Sequence, residues 1–126
     1  MQEARSPSGL IARIRFASVN TLRGLAFAYR SEQAFRHEVF LLLAALPLGI
    51  VIAPSPGWYL AMIGVLLVAI AAELLNTAIE KLADEVTADH HPQIGAVKDC
   101  GSAAVGVLLV LAGLIWLAAF YLRFIG

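Results

Sequence analysis

The sequence predicts an all-α integral membrane protein, with one amphipathic surface helix followed by three transmembrane helices. Three observations carry that reading. The 126-residue chain is 60% hydrophobic and 14% charged, whereas a soluble domain is about 45–50% apolar and about 25% charged. The apolar residues gather in three long runs, and the basic residues gather ahead of them. Arg5, Arg13, Arg15, Arg23, Arg30 and Arg36 all precede the first run. The same composition excludes intrinsic disorder. The length leaves room for a single membrane-embedded domain over residues 1–126. Formal net charge is +0, so nothing in the overall charge attracts nucleic acid and none is expected as a partner. Cys100 is the single cysteine. It permits no internal disulfide and reads as a small packing residue.

The surface helix is expected over residues 8–30 or so. Ile11, Ile14, Leu22, Leu25 and Tyr29 fall at steps of three, four or their multiples, which places them on one helical stripe. Arginines fill much of the remaining circumference, and a basic amphipathic helix suits a membrane surface. No basic-then-apolar order leads to a cleavage site, so the segment does not read as a signal peptide.

The first apolar run, Val39 to Ala53, covers only about 22 Å at 1.5 Å per residue, short of a ~30 Å hydrocarbon core. A span over 34–53 requires helix from near Ala34, with Arg36 snorkelling and Glu38 close to the interface. Pro47 is a candidate kink. Pro54-Ser55-Pro56-Gly57 is an uncharged turn. The second helix, over 58–86, opens on the interfacial pair Trp58-Tyr59 and continues past Ala72 through Glu73, Asn76 and Glu80. Thr87 to Val97, with Asp89, His90, His91 and Pro92, reads as a loop. The third span, over 99–122, ends in the aromatic belt of Trp116, Phe120 and Tyr121. The positive-inside rule puts the N-terminus and the Lys81–Lys98 connection in the cytoplasm and the C-terminus outside.

Ionisable groups near a membrane are expensive and need a reason. Glu73, Asn76 and Glu80 stand at i, i+3 and i+7, on one face at the cytoplasmic end of the second span, and Asp84 extends the stripe. Carboxylates at i, i+4 repel unless a divalent metal, a basic side chain or a proton lies between them. Glu32, between the surface helix and the first span, falls near the level of Glu80. Hard oxygen ligands from two places suit Mg²⁺, which accepts phosphate oxygens as further ligands. Lys98 is either a positive-inside anchor or a point charge for a polyphosphate; Asp99 beside it is either an N-cap or part of the same site. Adjacent His90 and His91 lack a third zinc ligand at proper spacing. No known nucleotide-binding loop or hydrolase motif of soluble folds is present. A proton-coupled transporter would also place glutamates in a membrane helix, but near mid-bilayer. Here the acids cluster at one interface, beside a basic helix, which favours interfacial chemistry. A non-enzymatic scaffold leaves the Glu73–Asn76–Glu80 stripe unexplained.

Glu73-Leu74-Leu75-Asn76-Thr77-Ala78-Ile79-Glu80, then Lys98-Asp99-Cys100-Gly101-Ser102-Ala103-Ala104-Val105, strongly resembles the bacterial integral-membrane diacylglycerol kinase family. Glu32 followed by Ala34-Phe35-Arg36-His37-Glu38 resembles a third element of that family. Undecaprenol kinases belong to it too, and Gly101-Ser102 looks more like the diacylglycerol branch. The resemblance implies a homotrimer in the bacterial inner membrane, with active sites at the cytoplasmic interface shared between subunits. The γ-phosphate of MgATP would pass to the primary hydroxyl of diacylglycerol. By position, Glu73 matches the general base and Asn76 a polar residue beside it. Glu32 and Glu80 match Mg²⁺ ligands that also meet the nucleotide. Arg13, Asp89, His90, His91, Lys98 and Asp99 match nucleotide-contacting positions. Arg13, Ala34, Phe35, Arg36, Glu38, Glu73 and Ser102 match substrate-contacting ones.

Overall fold

The structure is a computed structural model and describes residues 8–126; Arg5 lies outside the described residues. Four helices follow one another: α1 (Leu10–Ser31), α2 (Gln33–Ile52), α3 (Pro56–Val86) and α4 (Pro92–Phe124). The last three are long and apolar enough to cross a membrane. At 1.5 Å per residue, α2 is about 30 Å long and α3 about 46 Å, so α3 outruns a ~30 Å hydrocarbon core. Its polar last turns, from Glu80 to Val86, make up about 10 Å of that excess.

Each boundary has a local cause. Ser55 caps α3, its hydroxyl accepting from the Trp58 amide at 3.3 Å, and Pro56 fills the first helical position, where a missing N–H costs nothing. Pro92 plays the same part in α4. The expected loop over Thr87–Val97 therefore shortens to Thr87–His91, where the Asp89 amide donates to Thr87 Oγ1 at 3.1 Å. Asp99 lies inside α4 rather than capping it. Helix α2 continues through Pro47, which forgoes one intrahelical bond. Cys100, expected in packing, is exposed on α4.

Helices α2, α3 and α4 run up, down and up around a core of Ala45, Ile63, Val65, Leu66 and Ala112, with Leu42, Tyr59, Ile115 and Trp116 packed against it. Close approach of α2 to α3 is set by Gly49. A Cβ there would stand 3.0 Å from Tyr59 Cε2, and the Tyr59 hydroxyl donates to the Leu46 carbonyl at 3.1 Å. Trp116 Nε1 donates to the Met62 carbonyl at 3.2 Å, and Arg123 Nε to the Val51 carbonyl at 3.3 Å. These bonds fasten one end of the bundle. The polar residues gather at the other end, where α1 meets α2, α3 ends and α4 begins.

Candidate active site

The site is assembled from the α1–α2 junction and the polar face of α3. Glu32 is the single non-helical residue between two helices, with extended backbone (φ −123°, ψ 115°). It caps both: its amide donates to the Ala28 carbonyl at 2.8 Å, and its own carbonyl accepts from the Arg36 amide at 3.3 Å. Arg36 Nη1 donates back to the Tyr29 carbonyl at 2.8 Å and the Arg30 carbonyl at 3.3 Å. The guanidinium thus serves the bare carbonyls ending α1, where positive charge is favoured. Phe35 is buried at 2% exposure and anchors the junction.

On α3, Glu73, Asn76 and Thr77 are buried, at 6%, 7% and 4% exposure. Asn76 Nδ2 donates to Glu80 Oε1 at 3.4 Å. The charges of Glu80 and Glu32 reach Glu73, and that of Glu73 reaches Glu38. Four carboxylates from α2, α3 and the junction therefore share one region, as the spacing of Glu73 and Glu80 anticipates for two of them. Lys81 Nζ lies 3.2 Å from Glu32 Oε1. Glu38 Oε2, Asn76 Oδ1 and Thr77 Oγ1 are buried without a hydrogen-bond partner. Two clefts flank the stripe. One, of about 460 Å³ between α1 and α3, is lined by Asn20, Thr21, Thr77 and Lys81 among others. The other, of about 490 Å³ between α3 and α4, is lined by Asn76, Cys100 and Gly101 among others.

Gly101 holds that second cleft open. A Cβ on it would collide with Asn76 Oδ1, so only glycine leaves the amide where it is. Lys98 pairs with Asp84 across α3 and α4, which supplies one of the cations the acidic stripe calls for. Asp99 and Ser102 are exposed on α4, Ala34 is exposed on α2, and Asp89, His90 and His91 are exposed in the loop. Arg13 is exposed near the start of α1. Nineteen helical steps separate it from Glu32, roughly 28 Å along the axis. Sequence reasoning passed over Thr77 and Lys81. Thr77, at i+4 from Glu73, was accessible from spacing alone. The partner of Lys81 lies on another helix, and no local pattern announces it.

Lys81 and Asn76 each engage one carboxylate oxygen, of Glu32 and Glu80 respectively, and Asn76 Oδ1 is unpartnered. Hard oxygens of this kind fit Mg²⁺, which binds through one or two carboxylates together with water and substrate phosphates. Among the described residues, no three His, Cys, Asp or Glu side chains converge closely enough to hold an ion.

Residues 19–120 match the family described as prokaryotic diacylglycerol kinase. The diacylglycerol kinase of Haemophilus influenzae is 38% identical over 96 residues, 76% of this chain and 81% of that protein. That of Pseudomonas aeruginosa is 39% identical over 106 residues, 84% of this chain and 86% of that protein. That of Escherichia coli K12 is 31% identical over 104 residues, 82% of this chain and 85% of that protein.

Proposed function

The chain belongs to the prokaryotic diacylglycerol kinase family, and from that premise we propose that it phosphorylates diacylglycerol at the cytoplasmic face of a bacterial inner membrane. The γ-phosphate of ATP passes to the lipid's primary hydroxyl, leaving phosphatidic acid and ADP. The observation that carries this reading is the buried Glu73–Asn76 pair, set among carboxylates where an apolar helix emerges from its span. A phosphoryl acceptor embedded in the bilayer meets such a group at headgroup depth.

In this mechanism Glu73 takes the proton of the attacking hydroxyl. The hydroxyl oxygen bonds to the γ-phosphorus, and the bond from that phosphorus to the β–γ bridging oxygen breaks. Asn76 orients groups beside the base, its Nδ2 donating to Glu80 Oε1. Glu32 and Glu80 would hold Mg²⁺, whose contribution when bound is to neutralise charge on the ATP phosphates. Lys98, Asp99, Asp89, His90 and His91 face the nucleotide. Ala34, Phe35, Arg36, Glu38 and Ser102 shape the lipid's approach, Phe35 and Arg36 by fixing the α1–α2 junction.

The assembly is a homotrimer, with α1 lying on the membrane surface and the N-terminus in the cytoplasm. Two features support it. Arg13 stands roughly 28 Å along α1 from its own Glu32, a separation that a site shared with a neighbouring chain accommodates. Apolar and small residues such as Leu75, Ala103, Ala104, Gly106, Val107 and Val110 remain exposed on α3 and α4, where neighbouring helices pack. The test is labelled phosphate transfer from ATP in mixed micelles, with diacylglycerol and undecaprenol offered in parallel, with and without Mg²⁺. Faster Mg²⁺-dependent transfer to diacylglycerol is expected. Preference for undecaprenol would keep the mechanism and change the acceptor. No transfer to either would overturn the reading.

A further inference from the structure

We propose that Lys81 is a positioning residue for Glu32: it acts as the resting site's own counter-ion and yields that carboxylate to the divalent cation when the cation binds. The inference rests on the metal role given to Glu32 above. Glu73 lies within reach of the charges of Glu32 and Glu80, and Glu38 within reach of that of Glu73. Among the described residues, Lys81 is the one cation at ion-pair distance from any of them, its Nζ 3.2 Å from Glu32 Oε1. The other such lysine, Lys98, is engaged with Asp84.

The placement suits an exchange. Glu32 is the lone extended residue between α1 and α2, so its side chain has no helix to hold it, and Lys81 ties it to α3. The Glu32 side chain is 20% exposed and that of Lys81 47%. The ammonium therefore has water to retreat into on a flexible four-carbon stem. A divalent cation arriving at Glu32 meets an ammonium already there, and like charges at that range oppose each other. Lys81 also lines the α1–α3 cleft with Asn20 and Thr21, which gives the released ammonium a place within the protein. Lys81 thus holds Glu32 ready while weakening the metal's hold on it.

The test is direct metal binding, with no turnover. Mn²⁺ is titrated into the full chain in detergent, and free Mn²⁺ is read by electron paramagnetic resonance. Lys81→Gln is expected to tighten Mn²⁺ about two- to fivefold, the range that an ion pair with a half-exposed partner is worth. Lys81→Arg is expected to bind like the unsubstituted chain. In a Glu32→Gln background, Lys81→Gln is expected to change nothing, because the interaction it removes is already gone. Unchanged or weaker Mn²⁺ binding in Lys81→Gln, with the unsubstituted chain binding normally, overturns the exchange alone. So does tightening that persists in the Glu32→Gln background. If Mn²⁺ binds the unsubstituted chain and Glu32→Gln equally, or neither, the metal role of Glu32 falls and the exchange falls with it.

Discussion

At the scale of single residues, position on α3 gives similar side chains different surroundings. Glu73 is buried and Glu80 half-buried, so the first suits proton transfer and the second a solvated cation. Glu73→Gln keeps the shape and removes the proton acceptor of the proposed mechanism. Its kcat is expected to fall by about 10²- to 10⁴-fold, the usual contribution of a general base, while binding of an uncleavable ATP analogue is retained. Glu80→Gln should instead raise the Mg²⁺ concentration for half-maximal activity by about tenfold or more, read by titrating Mg²⁺ at saturating ATP. Gly101 is the most exposed to insult. One added methyl group meets Asn76 Oδ1, and a displacement of about 1 Å in a positioning group can cost about 10² in rate. Gly101→Ala is therefore expected to lose far more kcat than stability, a contrast visible by comparing turnover with thermal unfolding in the same detergent.

Between helices, the two ends of the bundle do different work. The α2–α3 contact at Gly49 is far from the acids, so damage there should register as stability. Gly49→Ala pushes on the Tyr59 ring at 3.0 Å and strains its bond to Leu46. A loss of about 1–3 kcal/mol, typical of overpacking, is expected in unfolding measurements, with KM for ATP unchanged. This division was partly legible in the chain itself. Hydropathy marks the three spans because a bilayer tolerates little else, and the spacing of Glu73, Asn76 and Glu80 places them on one face whatever surrounds the helix. The early start of α4 was hidden. Pro92 to Val97 looks like loop, whereas Pro92 starts a helix whose first turns lead into Lys98 and Asp99 ahead of the span. The pairs Lys81–Glu32 and Lys98–Asp84 were hidden for another reason. Each joins residues of different helices, and composition has no record of which helix ends meet.

For the whole molecule, the question is whether one chain is a complete enzyme. Arg13 and Glu73 lie on one polypeptide, yet α1 carries Arg13 roughly 28 Å along its axis from the Glu32 junction. If both serve one reaction from different subunits, a closed ring of identical head-to-tail contacts supplies each site with one of each. Arg13→Ala and Glu73→Gln chains are then inactive alone for different reasons. Unfolded, mixed in equal amounts and refolded together, they assemble at random. A site works when its Glu73 comes from an Arg13→Ala chain and its Arg13 from a Glu73→Gln chain. For independent draws about a quarter of the sites qualify in such a ring, so the mixture should recover about a quarter of the unsubstituted rate. If each chain completes its own site, every site in the mixture carries one defect and no activity returns. The measurement separates the two arrangements without knowledge of the subunit count, because the fraction depends on each site drawing on two chains and not on how many sites the ring contains.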